Sequence, residues 1–204
     1  LEQALQSDQD YDSAVMLGEL DEAARCNAQA RAAAEKACAL AGDADALVLL
    51  LTIRSEAMDT DAVARLAMAA ERSPVVRRDV RVPSIALPHL RMHGRVQLAA
   101  DLAQSWSTAR TQWPASFWHE ACVSLWEAKR WEGLHAMAIG LRSDASVSAI
   151  AEADFWLGVS LSRAGFAADA QRFLTTFLLN APPEPIPHAR AIAYLEAARG
   201  AKAA

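Results

Sequence analysis

Apolar residues in the second half of the chain recur at helical spacing inside a longer period of about 35 residues. The pattern is clearest near the C-terminus, where Leu157-Gly158 is followed by Leu161, Gly165, Ala170, Leu174, Phe177 and Pro182. Ile150, Phe155, Leu157 and Leu161 predict a helix over about Val147–Ala164, ended by Gly165. Ala170, Phe173, Leu174, Phe177 and Leu178 predict a second over about Ala167–Asn180, stopped by Pro182-Pro183. Pro185 and Pro187 lead into a last helix over about His188–Arg199, which would cap a stack.

The same spacing can be followed upstream. A helix over Pro114–Ala128 presents Ala121, Cys122 and Leu125, Lys129 takes the turn, and Trp131, Leu134, Ala138 and Leu141 line the next helix. Further turns fall at Gly94, with Ala99, Ala103 and Trp106 after it, at Asp59, with Ala64 and Met68 after it, and at Gly18. The turns at 18, 59, 94, 129 and 165 are 41, 35, 35 and 36 residues apart. The long first step predicts an extended helix over about Leu20–Ala41, ended by Gly42 with Asp43 capping the next.

A fixed period in this range is the mark of stacked helical hairpins. The unit from Leu157 to Pro182 resembles a tetratricopeptide repeat, keeping Leu157, Gly158, Gly165, Ala170 and Pro182 of that family's pattern. It departs from the pattern where the family has an early Trp, a place taken here by Asp154. The resemblance implies an all-α fold. It implies a right-handed superhelix of antiparallel hairpins over residues 1–204 as one domain, with a C-terminal capping helix. It also implies that the first helix of each hairpin lines a concave groove for a partner. Carried onto this chain, the groove residues are Ser116, His119, Val123, Trp126 and Glu127, then Glu152, Phe155, Val159, Ser162 and Arg163. With few charges among them, the expected partner is an amphipathic helix or an extended segment with apolar anchors.

One segment breaks the pattern. Residues Arg77–Gly94 should supply a first helix but carry Pro83 and Pro88. Pro83 suits a helix start, whereas Pro88 predicts a short, kinked or absent helix and an irregular junction at 74–94. The segment is also basic, so Arg77, Arg78, Arg81 and Arg91 form a candidate anion-binding notch, or a plain surface linker.

Composition agrees with helices: 53% of residues are hydrophobic, many of them Ala, and Gly and Pro number 8 each. The net charge of −5 argues against nucleic-acid binding. From Leu1 to Ala24 all seven charged residues are acidic, while Arg65–Arg95 holds seven arginines. Such halves can be separate solvated faces or can pair, between copies of the chain as a homo-oligomer or with other partners. Three cysteines do not complete a disulfide framework, and Cys26 and Cys38 on one helix would stand about 18 Å apart. The expected state is reduced, in a cytoplasmic protein. The longest apolar run, Ala46–Ile53, is too short to insert in a membrane. Because the chain opens on Leu, an excised piece is expected; a missing upstream segment would make it periplasmic or membrane-tethered.

Motifs for chemistry are weak. His89 and His93 have a helical metal-ligand spacing but no third ligand. His119-Glu120 starts like a zinc-protease motif, but Val123 stands at the second His place. Asp8, Asp10, Asp12 and Glu19 match calcium-loop spacing, with Ser13 where the sharp turn needs Gly. No metal or other cofactor is therefore expected, and no enzyme activity. Trp106, Trp113, Trp118, Trp126 and Trp131 crowd into 26 residues; Trp106 and Trp131 fit core positions and the others fit packing or a binding hot spot.

The leading expectation is a scaffold or adaptor for a protein partner in a bacterial assembly. The alternatives are the helical domain of a larger enzyme, such as a glycosyltransferase or polysaccharide-assembly protein, and a secretion chaperone.

Overall fold

The computed structural model describes residues 28–29, 32, 44–109, 112–142, 147–180, 190–195 and 197–199. Among the described residues the structure is helical, with no strand. The helices are α1 (Ala44–Glu56), α2 (Thr60–Arg72), a 3-10 turn (Val76–Arg78), α3 (Arg81–Met92), α4 (Val96–Ser107), α5 (Ala115–Glu127), α6 (Trp131–Arg142), α7 (Val147–Arg163) and α8 (Ala167–Asn180). A terminal segment is helical at 190–195 and 197–199.

Among the described residues, four in the left-handed conformation mark the hairpin turns: Met58 (φ 54°), Gly94 (78°), Lys129 (60°) and Gly165 (86°), at steps of 36, 35 and 36 residues. Each closes its helix by the same pair of bonds. The amide after the left-handed residue reaches back five residues, as Arg95 does to the Leu90 carbonyl (2.7 Å), Arg130 to Leu125 (2.9 Å), Phe166 to Leu161 (2.9 Å) and Asp59 to Arg54 (2.9 Å). The left-handed residue's own amide reaches back three, as Gly165 does to Ser162 at 3.2 Å. This is the Schellman closure, which satisfies carbonyls that the helix end leaves open.

The core keeps the same register. Five residues after each left-handed position come Val63, Ala99, Leu134 and Ala170, and nine after come Ala67, Ala103, Ala138 and Leu174; all are fully buried. Twelve after come Ala70, Trp106, Leu141 and Phe177, also buried. Small residues at most of the first two sets let helix backbones approach closely. On α7, Gly158 shows how closely: a Cβ there would lie 2.5 Å from Leu174 Cγ and 3.2 Å from the Leu174 backbone nitrogen of α8.

The turn predicted at Asp59 is one residue early in fact. Met58 holds the left-handed position, and Asp59 instead caps α2 by accepting the Ala62 amide at 3.0 Å. The inner positions accordingly shift to Val63 and Ala67, and Met68 lies 37% exposed.

Of the outcomes expected for the proline-bearing segment, replacement by a loop is ruled out, because α3 forms through both prolines. Pro83 sits in the first turn, where its missing N–H would have had no helical acceptor. Pro88 removes one interior bond, yet Val82, Ala86, Leu87 and Leu90 are all fully buried around it. Burial of that apolar face outweighs the lost bond.

The chain divides into two compact units, Leu1–Leu98 and Ala99–Ala204. The division falls within α4 rather than in the 74–94 segment. In the first unit, α1, α2 and α3 pack on one another. In the second, α5 packs on α6, α6 on α7 and α7 on α8.

Candidate functional site

Several predicted groove residues of the second unit are joined through contacts of α5 and α7. The Nδ1 of His119 on α5 lies 2.5 Å from Glu152 Oε1 on α7, and the same oxygen accepts the Trp156 indole N–H at 2.9 Å. Trp156 in turn lies 6.2 Å, ring centre to ring centre, from Trp126 at the end of α5. Ser116 and Glu127 are exposed, and Val123 and Ser162 half-buried. Phe155 and Val159 lie in the core at 3% and 0% exposure. Phe155 faces Trp156 at 4.9 Å and Phe177 at 5.2 Å, so it and Val159 have no apolar surface left to bury against a partner.

The end of this face is a pocket of about 440 Å³ lined by Trp126, Ser162, Arg163, Arg190, Tyr194 and small residues including Gly165, Ala167, Ala193 and Ala197. The Tyr194 hydroxyl accepts the Trp126 indole N–H and an Arg163 Nη2–H, each at 3.2 Å. The Arg163 guanidinium carbon lies 5.0 Å from the Tyr194 ring centre and 5.4 Å from that of Trp131. Arg190 lies over the Trp126 ring at 4.4 Å. These are cation–π distances. Trp131, expected in the core, is therefore half-buried as a platform under Arg163, whereas Trp106 is fully buried as expected. Trp113 is buried too and stacks on Phe117 at 4.2 Å.

Arg190 and Tyr194 were not among the residues that the sequence singled out. The signal was their four-residue spacing, which places them on one face of the terminal helix. That helix is a cap by sequence, but it also supplies one wall of the pocket.

The chemistry available at α5 and α7 is limited by burial. Cys122 is fully buried, and this burial, with the charge of Glu152 second, pushes its thiol well up, away from the reactive thiolate. Where the repeat pattern has Trp, Asp154 is 2% exposed, with Arg142 of α6 at 3.1 Å. That guanidinium is out of line, so among the described residues Asp154 Oδ1 accepts no hydrogen bond. Burial raises the carboxyl above its ordinary range and outweighs the opposing pull of Arg142.

In the first unit, Arg81 and Arg77 of the notch pair with different acids. Arg81 donates to both oxygens of Asp79 and to Asp45 Oδ1 at 2.5 Å, and these acids raise its pKa. Arg77 lies 4.0 Å from Glu71, Arg78 is exposed and Arg91 half-buried. A cleft of about 120 Å³ in this unit is lined by other residues: Leu50, Arg54, Ala62, Arg65 and Leu66.

His89 is a core residue. Its Nδ1 lies 3.0 Å from Ser55 Oγ and its Nε2 3.3 Å from Thr60 Oγ1, while the His93 ring stands 4.3 Å away. Burial, and then His93, lowers its pKa and favours the neutral ring. Among the described residues no three His, Cys, Asp or Glu side chains gather as a metal site. Asp8, Asp10, Asp12, Glu19, Cys26, Cys38 and the Gly18 turn lie outside the described residues. No described helix is long and apolar enough to cross a membrane.

No protein-family model matches the chain, and no curated protein matches it.

Proposed function

We propose that the chain is a helical-hairpin solenoid of tetratricopeptide type and acts as a scaffold that binds a protein partner. The binding face is formed by the first helices α5 and α7 of its second unit. One observation carries the reading: His119, Trp126, Glu152 and Arg163, spread over 45 residues of sequence, belong to one continuous set of contacts that ends at an open pocket, which Ser162 also lines. Aromatic and arginine side chains held in place by neighbours are what interface hot spots are made of. Phe155 and Val159 drop out of the face. Trp126 and Val123 remain as its apolar part, with Ser116 and Glu127 at its exposed margin.

The test is site-specific photo-crosslinking in the native host. A photoreactive residue at Ser116 or His119 should capture a defined partner. The same residue at Asp169 or Thr175, exposed positions of α8, should not. Equal capture from both helices, or none from α5, would remove the α5/α7 face as the docking surface.

A further inference from the structure

The pocket at the end of the α5/α7 face has a chemical selectivity of its own. Two arginines from different helices, Arg163 and Arg190, line it together. Neither is paired with a carboxylate among the described residues, in contrast to Arg81, Arg95 and Arg130, each of which has an Asp within 2.6 Å. Glu152, the nearest acid in the contact set, is already engaged by His119 and Trp156. Both guanidiniums lie within cation–π distance of aromatic rings: Arg163 of Tyr194 and Trp131, Arg190 of Trp126. A cation–π contact consumes no N–H donor, so the donors stay open to acceptors. Of the five N–H donors on Arg163, one is used among the described residues, by the Tyr194 hydroxyl. The remaining lining is Gly165, Ala167, Ala193, Ala197 and Ala198, which leaves room for a slender apolar stem.

We infer that this pocket takes acidic side chains, aspartate or glutamate, of the protein partner, with Arg163 and Arg190 as a pre-oriented pair of forks. A carboxylate accepts two parallel N–H bonds from a guanidinium, and the contacts with the rings remove part of the ordering cost. The inference deepens the proposed function and rests on it for the identity of the ligand as a protein. It alters the sequence-based picture of the partner, since apolar anchors alone would leave both guanidiniums without counter-charge from the described residues.

The experiment uses the full chain, labelled with nitrogen-15, at constant ionic strength. The probes are an acetylated, amidated Ala-Glu-Glu-Ala peptide, its Gln-Gln counterpart, and inorganic phosphate. The readout is the Trp126 indole N–H signal, assigned with Trp126→Phe. The expected result is a saturable shift with the Glu peptide and none with the Gln peptide. Arg190→Gln and Arg163→Gln should each weaken binding by about tenfold, the effect of one lost charge-assisted contact. Circular dichroism controls for folding, and Arg190→Gln alone suffices if the other variant is unstable. Shifts that do not saturate, that are equal for the two peptides, or that survive both substitutions would overturn the inference. Tighter saturable binding of phosphate than of the Glu peptide would overturn it too, by making the site a phosphate site. Crosslinking from Ser116 and His119 is independent of the two arginines. Partner capture there with no peptide binding would therefore refute the acidic-ligand inference alone.

Discussion

Tyr194 and Trp126, 68 residues apart in sequence, share a hydrogen bond from the indole N–H to the phenol oxygen at 3.2 Å. The same oxygen takes an Arg163 N–H, so one hydroxyl ties the terminal helix to both α5 and α7. Tyr194→Phe keeps the ring under Arg163 and removes only the acceptor. Both donors are partly open to water, so the expected loss is about 1 kcal/mol rather than the larger cost of stranded buried donors. Urea unfolding measures it, and indole emission should shift to the red as Trp126 gains water. Unchanged stability and emission would mean that the terminal helix is not held through this bond.

Gly158 is a contact position and not a flexible one. A Cβ there would meet Leu174 Cγ at 2.5 Å, and behind it the α8 backbone limits how far Leu174 can retreat. Ala is the better helix former, worth about 1 kcal/mol over Gly in an exposed helix. Overpacking in a filled core typically costs about 1–3 kcal/mol and should prevail here. Gly158→Ala should therefore lower the melting temperature. An increase would show that α7 and α8 separate at little cost.

The hairpin period was legible because it is written in residues whose backbone or volume is special. Gly94 and Gly165 mark left-handed turns directly, and Ala99, Ala103, Ala138 and Ala170 mark close packing. The Met58 turn was misplaced by one residue because Met has no turn chemistry, whereas the neighbouring Asp59 does, as a helix cap. The α3 helix was obscured because a proline penalty is local and visible, while the burial of Leu87 and Leu90 that overrides it is tertiary. Groove residues were read from helix position alone. That put Trp126, His119 and Arg163 forward as candidates but could not show that Phe155 and Val159 turn inward, nor that Arg190 and Tyr194 return to the same place from the terminal helix.

Lys129 occupies at φ 60° a position that Gly94 and Gly165 fill elsewhere in the chain. A side chain in this conformation costs about 1–2 kcal/mol, part of which glycine gives back through its greater freedom when unfolded. Lys129→Gly should therefore stabilise the second unit by about 0.5–1 kcal/mol. Met58→Gly should do the same for the first. Chemical denaturation of the two single variants tests this, and destabilisation by either would mean that its side chain makes contacts worth more than the strain.

Asp154 gives a pH dependence whose sign follows from its burial. Its folded-state pKa is raised, because desolvation disfavours the carboxylate more than Arg142 favours it. The folded protein therefore holds a proton at pH values where the unfolded chain has released it. Between the ordinary aspartate value of 3.8 and the raised value, stability falls as pH rises. Above that window the full cost of the buried charge is present, and below it none is. Asp154→Asn should therefore gain stability relative to the wild type near neutral pH, and the difference should shrink as the solution is made acid. Arg142→Ala removes the one attraction opposing the shift, so it should widen the window and steepen the wild-type trend. Urea unfolding of the three proteins across this range measures the differences. A gap between wild type and Asp154→Asn that is constant with pH would mean that Asp154 titrates alike in the folded and unfolded chain. In that case the attraction of Arg142 would offset the cost of burial.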